Sequence, residues 1–306
     1  MHPSFSVIFF TTFSGAGYGL WFWLGLLAAT GQQLTRTPTL AALALGFVMV
    51  TAGLLSSTLH LGKPLRAWRA FSQWRSSWLS REGIAAVLCY VPALCLAAAS
   101  HYILDARIAG ALLAIFSLAT VACTAMIYAS LKPIPAWRHP LVLPVYLVFA
   151  LFTGGLLFAA VFALSGWPVT NMAGFAVMLG AAVLWRFKRR AWRDIDSRPL
   201  PVTRNAALGL PEDRRVSVFE RPHTEANYLL REMGFVLARK HSKRLRVIAT
   251  TLFALVPALL ALPVYLLVHV DAGPWLLAAS IAALAGTLVE RWLFFAEAKH
   301  LVSLYY

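Results

Sequence analysis

The chain has 306 residues, 60% hydrophobic and only 13% charged. Soluble domains carry a near-even apolar share and about one-quarter charged residues, so an ordinary soluble fold is excluded. The formal charge of +15, from 27 Lys and Arg against 12 Asp and Glu, fits cationic loops kept on the cytoplasmic side of a membrane better than a nucleic-acid surface.

A bilayer core of roughly 30 Å takes about 20 apolar residues per helix. Apolar windows between breakers predict an all-α polytopic membrane protein of about eight transmembrane helices, near 5–29, 39–60, 83–101, 108–130, 141–164, 171–187, 247–269 and 274–297. Alternating barrel patterning is absent, and helices satisfy their own backbone groups in lipid. Residues Met1 to Phe10 lack a Lys/Arg n-region and run into an apolar segment too long for a signal peptide, so the first span is expected to stay. No internal sequence repeat is evident, although eight helices can form two four-helix bundles.

An even helix count puts both termini on one side, with the connections at 61–82, 131–140 and 188–246. Lys63, Arg66, Arg69, Arg75 and Arg81 lie in the first of these, and Lys132 and Arg138 in the second. Lys188, Arg189, Arg190, Arg214, Arg215, Arg239, Lys240 and Lys243 lie in the third, whereas the short connections hold only Arg36 and Arg107. The positive-inside rule then makes both termini and the long loops cytoplasmic, in a bacterial-type inner membrane. Residues 1–306 read as a single transmembrane anchor domain with a basic cytoplasmic loop at 188–246. That loop, with Pro199, Pro201, Pro211 and Pro222, is expected to be irregular, and to end in an interfacial helix from Thr224 to Arg246 carrying Tyr228, Leu229, Met233 and Val236. It also offers a docking surface for a more acidic protein.

Cys89, Cys95 and Cys123 sit in apolar runs at spacings that match no metal pattern, so neither zinc nor an iron-sulfur cluster is expected, and the thiols read as packing residues. A bis-histidine haem needs His deep in facing helices, but His60, His101, His139, His269 and His300 fall near span ends, which speaks against haem.

Chemistry concentrates at the end of the second span. His60-Leu61-Gly62-Lys63-Pro64-Leu65-Arg66 precedes Trp68, Phe71, Trp74 and Trp78, then Glu82. Gly62 and Pro64 should stop the helix at the surface, and the aromatic spacing suits a helix lying in the interface. His60 and Glu82 can each carry a proton near neutral pH when partly buried, as quinol oxidation requires, and Arg66 or Lys63 can orient a quinone oxygen. A helix-end His and a helix-start Glu favoured by the dipole is the structural alternative. In the last span Glu290, Arg291 and Glu297 are ionisable groups at membrane depth, which need partners from other helices or loops. They read as structural ion pairs, or as a proton route or quinone-site wall.

With HLGKPLR at 60–66 followed by Ser80-Arg81-Glu82, the chain resembles the membrane-anchor subunits of dimethyl sulfoxide reductase-type molybdoenzyme complexes. The resemblance extends loosely over all eight spans to Glu290-Arg291. It implies a subunit without redox centres of its own that binds ubiquinone or menaquinone beside an iron-sulfur subunit, itself joined to a molybdopterin catalytic subunit. It implies His60 and Glu82 in quinol chemistry, with Arg66 nearby. YLLREMG at 228–234 and the basic loop are similar to anchors of cytoplasmic sulfite-oxidising relatives. Sulfite oxidation is then the leading expectation and a sulfoxide-type reductase the runner-up. A secondary transporter, for which paired broken helices are lacking, and a purely structural anchor are the other classes.

Overall fold

The computed structural model describes residues 4–58, 63–102, 105–198, 200–217, 219–220, 237–267 and 269–304. Among these the regular structure is entirely helical. In chain order come α1 (Phe5–Ala29), α2 (Arg36–Thr58), a 3-10 helix (Pro64–Gln73), α3 (Trp78–Tyr102), α4 (Arg107–Ala129), α5 (Val142–Leu164) and α6 (Asn171–Ser197). A single turn at Arg204–Ala207 follows, then α7 (Leu237–Thr250), a π turn (Thr251–Leu255), α8 (Val256–Leu266), α9 (Ala272–Ala296) and a closing 3-10 helix (Leu301–Leu304).

The eight expected spans fall on these helices, with α7 and α8 forming one continuous span. Among the described residues seven helices are long and apolar enough to cross a membrane. α6 falls short because its apolar stretch ends at Trp185, after which come Arg186, Lys188, Arg189, Arg190 and Arg193. The protein is a multi-pass membrane protein.

Two cores divide the helices. Residues of α1 to α5 bury one cluster around Leu20, Trp21, Leu24, Val50, Leu96 and Leu113. Residues of α5 to α9 bury the other around Phe149, Leu184, Phe253, Leu276 and Leu293. α5 serves both, giving Tyr146, Ala150 and Leu157 to the first and Val145, Phe149, Phe152 and Leu156 to the second. Packing of this kind in lipid depends on small residues that let backbones touch. At the crossing of α1 and α5, a Cβ on Gly19 would collide with the Ala150 carbonyl oxygen, and one on Gly154 with the Gly19 carbonyl carbon.

The π turn has a local cause. Pro257 lacks an N–H and its ring would clash with the carbonyl four residues back in a regular helix. The wider turn just before it, in which Val256 N–H donates to the Thr251 carbonyl, relieves that clash.

A small cluster of Ile8, Ile134, Trp137, Phe295 and Ala298 fixes which helix ends lie together. It joins the start of α1, the connection between α4 and α5, and the end of α9; Leu301 N–H also donates to the Pro133 carbonyl at 2.9 Å.

The expected interfacial segment after α2 is a 3-10 helix, with Trp68, Phe71 and Trp74 exposed. Of the expected helix from Thr224 to Arg246, only the part from Leu237 belongs to the described residues; Tyr228 to Gly234 lies outside them.

Candidate functional site

The 3-10 helix is tied down onto the start of α3, and this sets Glu82. The Ser80 hydroxyl donates to the Ala70 carbonyl. Arg81 Nε donates to the Trp74 carbonyl at 2.9 Å and its Nη2 to the Arg75 carbonyl at 2.6 Å. The Arg81 guanidinium also lies 4.4 Å from the Trp78 ring centre. The Phe71 ring occupies the space beside Gly83, where a Cβ would come within 2.9 Å of it.

With Arg81 held outward, Glu82 turns inward and is 3% exposed. Its Oε1 accepts a hydrogen bond from the Thr124 hydroxyl of α4. The same hydroxyl lies 3.0 Å from the Thr120 carbonyl. Thr124 has one proton to give, so it serves one acceptor at a time. A protonated Glu82 can donate to Thr124 while Thr124 donates to Thr120, which suits a carboxyl group that gains and loses a proton in place.

His60 lies outside the described residues. Lys63 and Arg66 are exposed around the start of the 3-10 helix. Among the described residues no hydrogen bond or ion pair joins either to Glu82.

Glu290 and Arg291 are 0% and 1% exposed. Glu290 pairs with Lys188 of α6, itself 5% exposed, and its Oε2 is 3.4 Å from Arg291 Nε. The long Arg291 side chain therefore reaches back to its neighbour, although the two residues leave α9 in different directions. The Arg291 guanidinium also stacks over Tyr146 of α5, 3.7 Å from the ring centre, and lies 5.0 Å from that of Phe149. Glu297 takes its partner from the start of the seventh span. Arg246 Nε donates to its Oε1 at 3.0 Å, and Arg246 also bonds Asp196 of α6 at 2.5 and 3.0 Å. Trp192 is shared by Lys188 and Arg246, 4.7 and 5.2 Å from its ring centre.

A chamber lined by α1, α4, α5 and α9 has both Arg291 and Thr124, the partner of Glu82, in its wall. Thr12, Tyr18, Thr124, Tyr146 and Arg291 contribute to its wall, and the free space is about that of one water molecule. Thr12 Oγ1, Tyr18 Oη, Tyr146 Oη and Arg291 Nη1 are buried without a hydrogen-bond partner among the described residues. Each such atom costs about 1–3 kcal/mol if left unsatisfied, so the chamber is a site for polar molecules of water size. Rings of Tyr128, Trp137, Phe294 and Phe295 pack against one another beside it, with the Trp137 indole donating to the Phe294 carbonyl at 2.9 Å.

Sequence reading marked Glu82, Glu290, Arg291 and Glu297. It missed Thr124, which is 42 positions from Glu82, and Lys188, Arg246, Tyr18 and Tyr146. A threonine in an apolar helix and a tyrosine in a span carry no distinguishing pattern. Lys188 and Arg246 were hidden among the basic residues that flank their spans.

The chain is similar to a sulfite dehydrogenase subunit of Allochromatium vinosum, with 35% identity over 338 aligned positions that cover 100% of this chain and 99% of that protein. Residues 1–296 match the family described as DMSO reductase anchor subunit (DmsC). With its helical membrane fold and near-complete coverage in both comparisons, the chain belongs to the DMSO reductase anchor subunit family and is the membrane anchor of a molybdoenzyme complex.

Proposed function

We propose that this anchor exchanges electrons and protons between membrane quinone, ubiquinone or menaquinone, and an iron-sulfur subunit, in a complex whose molybdopterin subunit oxidises sulfite. The observation that carries the reading is Glu82, a buried carboxyl group held on a switchable Thr124 hydroxyl beneath a membrane-surface helix. A carboxyl group, a hydroxyl and the Phe71 ring beside Gly83 suit a quinone head in chemistry and in polarity. Quinone supplies the two-electron chemistry when bound; the chain's own residues bind the head, exclude bulk water and move protons.

In this reading Glu82 and His60 are the proton-exchanging groups, and Lys63 or Arg66 orients a quinone oxygen. The side bearing the basic loops is cytoplasmic, in the inner membrane, together with both termini and the docked partners. Sulfite as the donor is supported by the full-length similarity to a sulfite dehydrogenase subunit. The family description favours a second reading, a sulfoxide-type reductase drawing electrons from quinol. A sulfite or sulfoxide assay on the co-purified catalytic subunit separates the two.

The test is binding of a fluorescent quinol-site inhibitor to membranes holding the intact complex, alongside quinone-linked turnover. Glu82→Gln and His60→Ala should each lower turnover by about 100-fold while the complex still assembles. Unchanged binding and turnover in both variants would rule the site out.

A further inference from the structure

Lys188 pairs with Glu290 and Arg246 faces both Glu297 and Asp196, so the charges of these neighbouring groups cancel; what Arg291 lacks among the described residues is a hydrogen-bond partner for Nη1. A buried guanidinium N–H is costly unless something answers it. Among the described residues the other buried carboxyl group near the chamber is Glu82, whose partner Thr124 forms part of the chamber wall with Arg291.

Depth makes this pairing geometrically consistent. Glu82, Thr124, Tyr146 and Arg291 each stand four or five residues from an end of α3, α4, α5 or α9. At 1.5 Å per residue that is about 6–8 Å, one common level on the side where those ends meet. The other charged or titratable groups around Glu82 do not supply a cation. Arg81 is turned to the Trp74 and Arg75 carbonyls, while Tyr18, Tyr90, Tyr128, Tyr146, Cys89 and Cys123 bring no positive charge.

We propose that the chamber holds ordered water bridging Arg291 to Thr124, and that Arg291 is through this water the counter-charge of Glu82. The proposal rests on the reading of Glu82 as a proton-exchanging group. When Glu82 passes its proton to a quinone oxygen, the negative charge left on the carboxylate is answered by Arg291 across the water, and the electrons arrive separately from the iron-sulfur partner. When a proton returns, Arg291 faces a neutral carboxyl group again. Arg291 is thus a positioning residue, and Thr12, Tyr18 and Tyr146 hold the water.

Infrared difference spectroscopy on the intact complex tests this, with the Glu82 signal identified by its loss in Glu82→Gln. Arg291→Met leaves the Lys188 and Glu290 pair in place and should raise the ratio of protonated to ionised Glu82 at a given pH by about tenfold. Arg291→Lys should restore the wild-type signal. Gly15→Ala puts a methyl group into the chamber from α1, where a Cβ meets nothing within 4 Å, and should shift the signal the same way with every charge in place. A Glu82 signal indifferent to both Arg291→Met and Gly15→Ala overturns the proposal. Failure of the quinone reading looks different: inhibitor binding would then be equal in wild type and Glu82→Gln, whatever the spectra show.

Discussion

At the scale of single residues, the membrane interior makes each charge conditional on its partner. Glu290 sits between Lys188 and Arg291, so Glu290→Gln leaves two cations facing each other and should destabilise the fold by about 3–5 kcal/mol. The double variant Glu290→Gln with Lys188→Met should recover most of that loss, a coupling measurable by thermal unfolding in detergent. His139, in the connection between α4 and α5, poses the opposite problem. Its Nδ1 accepts from Leu141 N–H at 3.2 Å and its Nε2 lies 3.4 Å from Asp194. Burial, joined by Arg198, outweighs Asp194 and holds its proton affinity below the ordinary histidine value. The neutral ring therefore adds stability that is complete above the ordinary value and is lost as pH falls through the lowered one. His139→Gln should flatten this acid-side fall in melting temperature, and an unchanged acid limb would refute the assignment. The sequence marked Glu290 because carboxylates are rare in apolar runs, but its partner lies on another span and no local spacing encodes it.

At the scale of elements, close backbone contact decides which helices pair. α1 and α5 meet where Gly19 faces Ala150 and Gly154. A methyl group at Gly19 would have to displace a helix backbone, so Gly19→Ala should cost the protein its detergent-stable fold, whereas Gly15→Ala, one turn away in open space, should not. Resistance to limited proteolysis after solubilisation reads the difference directly. The helices themselves were legible because hydropathy reports lipid exposure along each span. Their pairing was not, since glycines occur throughout these spans and only the crossing shows which of them carry contact. The π turn was not marked in the sequence: its cause, the missing N–H of Pro257, counts only once the helix is seen to continue through it.

At the scale of the whole molecule, parity bears on what composition left open. The start of α1, the connection between α4 and α5 and the end of α9 share one buried cluster. Four helices separate the first two, an even number. Between the connection and the end of α9 stand α5, α6, the continuous α7–α8 span and α9, and only if α6 crosses is that number also even. By this count α6 is expected to cross the membrane despite its basic second half, with Lys188 at depth because Glu290 receives its charge. Labelling of single cysteines by a membrane-impermeant maleimide, in a background with the native cysteines replaced, checks this. Cysteines at Ser4, Ser197 and Lys299 should react from one face of sealed vesicles, and those at Gln32, Gly166 and Asp271 from the other. Reaction of Ser197 and Gly166 from the same face would mean that α6 does not cross, and the shared end of α1 and α9 would then have no consistent path through the bilayer.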